Sequence, residues 1–400
     1  VTPQPPRRRI VLVAPIVARY DAISTAVRRS FSLLSAEPQW DVALISEHNE
    51  FAELPALSVK GLVELLEHPA FLSADLILYH FGIYNPLFEV MLVGNGRAKQ
   101  GAVFHNITPP DLVKPESRPL MEQSFVQLSN LRQMDHIWAA SPLNASVLLE
   151  YGFDWRRIEV MPFAVDWPAI GSIRAKRVDP LDLLFVGRAV PAKGLLELLE
   201  ALGRIDPVVP PYRLTVIGNL AFSDAAYLDQ CRRRAEALGL EPRIDFVGTA
   251  DDAALAQAYA RASILTIPSF HEGFCVPVVE GLRSGCVPVG FAAGNVPHVA
   301  NGLGRLVPAG EVGALAAALA EIISDLHFAG QAPDEVRLRL DRGPTGLAMF
   351  DSLTGDYVRS LESPVVGQIM TSRIKRLFND PSALSARGVA GPQAAGSATG

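Results

Sequence analysis

Four hundred residues, 49% hydrophobic and 20% charged, suffice for roughly two to three domains with buried cores. Thirty-six Lys and Arg against 42 Asp and Glu leave a net charge of -6, which argues against a nucleic-acid binder held by a basic surface. Cys231, Cys275 and Cys286 show neither Cys-x-x-Cys nor Cys/His spacing, so a disulfide framework and a zinc ribbon are excluded and a reducing, cytoplasmic compartment is expected. No uninterrupted apolar run approaches the ~18 residues of a membrane span, so the chain is expected to be soluble or peripheral.

Arg7, Arg8 and Arg9 followed by residues 10–18 imitate a signal peptide, but Pro15 interrupts the run and Arg19 closes it. The β-branched cluster at 10–13 reads instead as a buried parallel strand. Further β-rich runs lie at 42–46, 75–79, 102–104, 136–140 and 158–161. Helical spacing separates them at 22–35, 62–67, 120–134 and 142–151, the last with Ser141 as N-cap before Pro142. This alternation predicts a parallel sheet covered on both faces over residues 1–165. A proline-rich stretch follows, with the linker placed at 166–180. A second series then begins, with strands at 182–186, 213–217, 244–247, 264–267 and 287–290 and helices at 194–204, 224–238 and 252–261. The expected architecture is α/β: two doubly wound Rossmann-like domains, 1–165 and 181–330, facing across a cleft that holds the function. Residues 331–387 are expected to be a helical segment returning to the first domain. Residues 388–400, rich in Gly, Ala and Ser, are expected to be a disordered tail.

Three segments of the second domain carry chemistry. After its first strand come Gly187 and Arg188, then Lys193 and Gly194; a planar guanidinium and a point charge at a glycine-flanked strand end can neutralise a diphosphate. Glu272 and Glu280 stand eight positions apart, with Pro277 suiting the first turn of a helix, so Glu272 falls in a loop and Glu280 about one turn into that helix. Carboxylates there can accept hydrogen bonds from sugar and ribose hydroxyls, while free N–H groups at the helix start favour an anion. Gly294, Asn295 and Val296 form a small-residue loop able to offer backbone N–H groups. Each segment alone also reads as an ordinary turn, cap or loop. No Asp-x-Asp occurs that would hold a divalent ion against a diphosphate, so protein cations are expected to meet the leaving-group charge. A dinucleotide fingerprint at Gly94, Gly96 and Gly101 fails on spacing.

In this order and spacing, the segments resemble the nucleotide-sugar-binding domain of retaining GT-B glycosyltransferases, most clearly over 182–325. The resemblance implies that Arg188 and Lys193 hold the donor diphosphate beside Gly187, that Glu280 binds ribose hydroxyls, and that Glu272 contacts the donor sugar. It also places Phe274, Cys275 and Val276 at the donor, together with the 294–297 loop. Asn219 and Gly248 would flank the base. In the first domain, 104–110 resembles the His-containing loop of bacterial polysaccharide mannosyltransferases, which implies that His105 lies near the transferred sugar. A Gly-Gly loop usual in the group is replaced here by residues 14–19. The implied activity is a metal-independent retaining transfer of a hexose, from GDP-mannose or a UDP-sugar to a glycan or lipid-linked acceptor, in bacterial surface polysaccharide or glycoconjugate synthesis. The alternative is a two-domain binding or sensor protein without catalysis. Arg373, Lys375 and Arg376 among apolar residues of 366–378 make a short basic amphipathic segment that would either touch the inner membrane face or dock on the protein.

Overall fold

The structure, a computed structural model, describes residues 7–18, 21–165, 170–220 and 223–379. Arg19, the 166–169 part of the expected linker and the expected tail at 388–400 lie outside the described residues.

In chain order the first domain comprises β1 (Arg8–Val13), β2 (Ile16–Val17), α1 (Ala22–Ser35), β3 (Trp40–Ser46), β4 (His48–Asn49), β5 (Ala56–Ser58), α2 (Leu62–Glu67) and α3 (Pro69–Leu72). It continues through β6 (Leu76–Phe81), β7 (Lys99–Phe104), α4 (Arg118–Gln127), β8 (His136–Ala139), α5 (Pro142–Glu150) and β9 (Ile158–Val160). Seven of these strands form one parallel sheet in the order β5-β3-β1-β6-β7-β8-β9. β6 and β7 are buried along their whole length, as strands covered on both faces must be. Asp21 caps α1 by accepting from the Ser24 N–H at 2.7 Å, and Ser141 caps α5 by accepting from the Asn144 N–H at 3.1 Å. The helix expected at 120–134 ends at Gln127 and tightens into a 3₁₀ turn over Leu128–Gln133.

The second domain comprises β10 (Leu181–Val186), α6 (Leu195–Ile205), β11 (Tyr212–Ile217), α7 (Ala225–Ala237), β12 (Ile244–Gly248), α8 (Asp252–Arg261), β13 (Ile264–Ile267) and α9 (Val276–Arg283). After these come β14 (Val287–Phe291), α10 (Val296–Ala300), β15 (Arg305–Val307) and α11 (Val312–Ala329). Its parallel sheet runs β12-β11-β10-β13-β14-β15. In both domains the order reverses beside the first strand, which opens a crevice at the strand ends between β1 and β6 and between β10 and β13.

α11 corrects one expectation. It is long and apolar enough to cross a membrane by length and composition, yet Leu315, Leu319, Ile322, Ile323 and Leu326 are buried in the second domain's core. Glu321 and Asp325 interrupt its apolar run, so a search for uninterrupted runs passes over it.

Residues 380–387 of the expected helical segment lie outside the described residues, and its described part, 331–379, is not wholly helical. An antiparallel hairpin of β16 (Arg337–Leu340) and β17 (Gly343–Gly346) precedes α12 (Leu347–Ser360) and α13 (Ser363–Asn379). Leu347, Phe350 and Val358 of α12 join the second domain's core. Met370, Ile374 and Leu377 of α13 pack with Ile10, Leu12, Val27 and Trp40 of the first. The polar side of α13 is also engaged: Arg373 donates to the Val160 carbonyl at 2.8 Å and meets Glu159 at 2.9 Å, Arg376 meets Glu159 at 3.1 Å, and the Lys99 ammonium donates to the Leu377 carbonyl. The basic amphipathic segment is therefore a docked helix.

Residues 170–180 are fastened to the second domain rather than strung between the two. Gly171 N–H donates to the Arg283 carbonyl at 2.7 Å, Ser172 donates to Asp351 at 2.6 Å, and Ile173 is buried. The outgoing and returning chains meet where Val165 N–H donates to the Leu361 carbonyl at 2.9 Å.

Ile374 is fully buried. Ile374→Ala removes its contacts on the first sheet and is expected to lower stability by about 2–5 kcal/mol, read by urea unfolding. A change below about 0.5 kcal/mol would show that α13 adds nothing to the first domain.

Candidate functional site

The apolar run of β10 is buried, and its end delivers Gly187 and Arg188 to the crevice of the second sheet. Gly187 N–H donates to the Ile217 carbonyl at 2.9 Å, and the Arg188 side chain is exposed, with no partner among the described residues. A 3₁₀ turn over Pro191–Lys193 then leads to Gly194, whose φ is 67°. A Cβ there would sit 1.9 Å from the Pro268 carbonyl oxygen, so only glycine lets this loop lie against the end of β13. Phe270 N–H donating to the Ala192 carbonyl at 2.9 Å seals the two loops together.

That junction brings Lys193 and Glu272 into an ion pair, Nζ to Oε1 at 2.6 Å, with side-chain exposures of 21% and 11%. The backbone of Glu272 is itself held. Asn295 N–H donates to the Glu272 carbonyl at 3.0 Å, and a Cβ on Gly294 (φ 54°) would come within 2.6 Å of the Glu272 nitrogen. Asn295 is fully buried and its side-chain amide has no hydrogen-bond partner among the described residues, while Val296 is buried at the start of α10. Cys275 precedes α9 at φ 66°, a left-handed conformation that costs a non-glycine residue about 1 kcal/mol or more. Phe274 and Cys275 are buried and Val276 half-buried beside this helix start.

Glu280 lies in α9 as expected, but its carboxylate turns to the Tyr259 hydroxyl, which donates to it at 2.9 Å. Burial pushes Glu280 up to about 7, and the tyrosine bond opposes this only in part. On the far side of the crevice, Gly218 N–H donates to the Gly248 carbonyl at 2.9 Å. Asn219 accepts from the Ser223 hydroxyl through its backbone at 2.7 Å. Gly187, Gly218, Gly248, Leu220 and Phe246 line a small pocket there.

The first domain closes over this arrangement. His105 follows β7 and is buried, and its carbonyl oxygen lies 2.8 Å from where a Cβ on Gly273 would be. Its ring meets Phe163 at 5.0 Å between centroids, and Phe163 meets Phe274 at 4.8 Å. Lys114 bridges the domains to Asp224, the N-cap of α7, at 2.9 Å. The structure thus brings Lys193, Glu272, Gly294 and Asn295 into direct contact and sets His105 against the Glu272 loop. Arg188, Asn219 and Gly248 at strand ends and Glu280 in α9 lie outside that set of contacts.

Tyr259, Phe163 and the Lys114–Asp224 pair escape sequence reasoning, because each acts through a partner distant in the chain. His80, whose Nδ1 lies 3.0 Å from His105 Nε2, left a trace: a polar residue near the end of an apolar strand.

Residues 170–335 match the family model described as glycosyl transferases group 1. D-inositol 3-phosphate glycosyltransferase of Mycolicibacterium smegmatis is 29% identical over 224 residues, 53% of this chain and 50% of that protein. The enzyme of that name from Mycobacterium tuberculosis (strain F11) is 31% identical over 213 residues, 51% of this chain and 40% of that protein. The chain thus spans half or less of the curated relatives it matches. Among solved structures, sucrose-phosphate synthase from Thermosynechococcus elongatus aligns over 93% of this chain and 100% of its own, with TM-score 0.70 at 19% identity. Anabaena HepE in complex with UDP and glucose aligns over 92% and 100%, with TM-score 0.69 at 16% identity.

The raised Glu280 carboxyl yields a test. Its folded value lies above its ordinary 4.5, so the stability it lends is full below that value and is lost as pH rises through about 7. Glu280→Gln cannot titrate. The ligand-free variant is expected to melt near the wild type at pH 5 and a few degrees above it at pH 8. A difference that does not change with pH would place the carboxyl in water.

Proposed function

From a chain of GT-B fold whose residues 170–335 match the glycosyl transferases group 1 family model, we propose an enzyme that moves a hexose from a nucleoside-diphosphate sugar to a hydroxyl of a glycan or glycolipid, retaining the configuration at the anomeric carbon. The observation that carries this reading is the cation pair at the switch point. Arg188 is exposed at the end of β10 with no side-chain partner among the described residues, and Lys193 is held at the end of β13 by a carboxylate that a phosphate can replace. In the proposed sequence the donor's diphosphate takes Lys193 from Glu272. The released carboxylate then accepts hydrogen bonds from sugar hydroxyls, so donor binding exchanges one ion pair for another.

The bond from C1 to the phosphate oxygen breaks as the acceptor oxygen bonds to C1 on the same face. The acceptor's proton passes to the departing phosphate oxygen. Arg188 and Lys193 meet the charge that develops there, which is the largest electrostatic demand of the step. Protein cations supply this role in the proposed site, and no Asp-x-Asp competes for it, so we propose a metal-independent reaction. Glu280 holds the ribose hydroxyls, and the loops at Asn219 and Gly248 flank the base through their backbones. GDP-mannose and UDP-hexoses are the donors to try first, in line with a role in bacterial surface polysaccharide synthesis. The names of the curated relatives add a phosphorylated cyclitol to the acceptors.

Thermal unfolding against UDP, GDP, ADP, TDP and CDP tests the reading. A diphosphate at ~100 times its dissociation constant adds about 2.7 kcal/mol. One of the five is expected to raise the wild-type midpoint by several degrees, equally with EDTA, and to lose that effect in Arg188→Ala. If none does, the donor site is refuted and a binding protein for another ligand takes its place.

A further inference from the structure

His105 has a partner one strand away. His80 is the penultimate residue of β6 and is paired in register with Val103 of β7. It is 2% exposed, and its Nδ1 lies 3.0 Å from His105 Nε2, with the two rings stacked at 5.2 Å between centroids. The two remaining nitrogens, His80 Nε2 and His105 Nδ1, are buried and have no hydrogen-bond partner among the described residues. Burial keeps both rings neutral, pushing His80 down to about 3 and His105 well below its ordinary value.

Two neutral imidazoles carry two protons on four nitrogens, and only one proton fits between the rings. The tautomers are therefore coupled. If His80 donates from Nδ1, His105 must carry its own proton on Nδ1. If His105 donates from Nε2, its Nδ1 is a bare acceptor and His80 keeps an Nε2–H with nowhere to go. When a hydroxyl arrives at His105 Nδ1, the first arrangement leaves one ring lone pair unpartnered. The second leaves a buried N–H donor unpartnered, the rarer and costlier defect.

We infer that His80 is a positioning residue that fixes His105 as an Nδ1–H donor toward a hydroxyl oxygen of the transferred sugar. This rests on the reading of His105 as a contact of the donor sugar, and it extends that reading to the ring nitrogen used and the residue that sets it. His105 Nδ1 is the nitrogen left available once Nε2 faces His80, and the His105 backbone borders Gly273, the neighbour of Glu272. No proton leaves either ring during transfer; the pair orients a hydrogen bond.

The full-length protein with [15N]histidine gives a direct readout, because protonated and bare ring nitrogens differ widely in shift. Wild type and His80→Asn, whose side-chain amide can replace the Nδ1–H, are expected to show His105 protonated at Nδ1. His80→Leu should lose that fixed tautomer. In turnover of the donor found by the diphosphate panel, His80→Leu is expected to lower kcat about ten- to a hundredfold with little change in KM, and His80→Asn to recover most of it. Adding His80→Leu to His105→Ala should cost nothing more. Additive losses, a failed rescue by Asn, or a wild-type His105 protonated at Nε2 would each overturn the inference. If no nucleotide sugar is bound or turned over, the functional reading fails on its own account, and the tautomer measurement still decides whether His80 sets His105.

Discussion

Two carbonyl-to-glycine approaches hold the crevice of the second domain in shape. The Pro268 carbonyl occupies the space of a side chain at 194, and the Glu272 peptide occupies that of a side chain at 294. Three loops that leave the ends of β10, β13 and β14 are thereby pressed together backbone to backbone. Side-chain flexibility cannot blur such contacts, so the Lys193 ammonium and the Glu272 carboxylate arrive at 2.6 Å as a result of main-chain geometry. The left-handed Cys275 belongs to the same arrangement, being the bend that lets α9 start immediately after Glu272 has been placed.

The electrostatics follow from that closeness. Glu272 neutralises Lys193 in a site that is mostly out of water, which avoids an uncompensated buried cation. Arg188, by contrast, stays exposed, where an unpaired guanidinium is well hydrated. One cation is stored and the other is displayed. Glu280 shows the opposite solution: it is buried next to the Tyr259 hydroxyl, and burial pushes its carboxyl up to about 7.

The second domain was the more legible half. Gly187, Arg188, Lys193, Glu272 and Glu280 sit in short contiguous segments at strand ends, where spacing along the chain is nearly spacing in the fold. The strands at Leu181–Val186 and Ile264–Ile267 were readable as short apolar runs, and the helices at Ala22–Ser35 and Leu62–Glu67 from their helical spacing, with an Asp21 cap on the first. The His80–His105 contact is different. It requires knowing that β6 lies beside β7 and in which register, which no local pattern supplies. The same holds for Tyr259 on Glu280 and Lys114 on Asp224. α11 was hidden because Glu321 and Asp325 break its apolar run, and β16 and β17 because Gly343, Pro344 and Gly346 read as loop rather than strand.

α13 packs on the first domain but follows the second in sequence. The second domain is thus an insertion between the body of the first and the helix that covers part of its sheet. During synthesis Ile10, Leu12 and Trp40 emerge more than three hundred residues before Met370, Ile374 and Leu377, which pack on them. Until then the nascent first domain carries an incompletely covered apolar face, which α13 closes only after the whole second domain has been made.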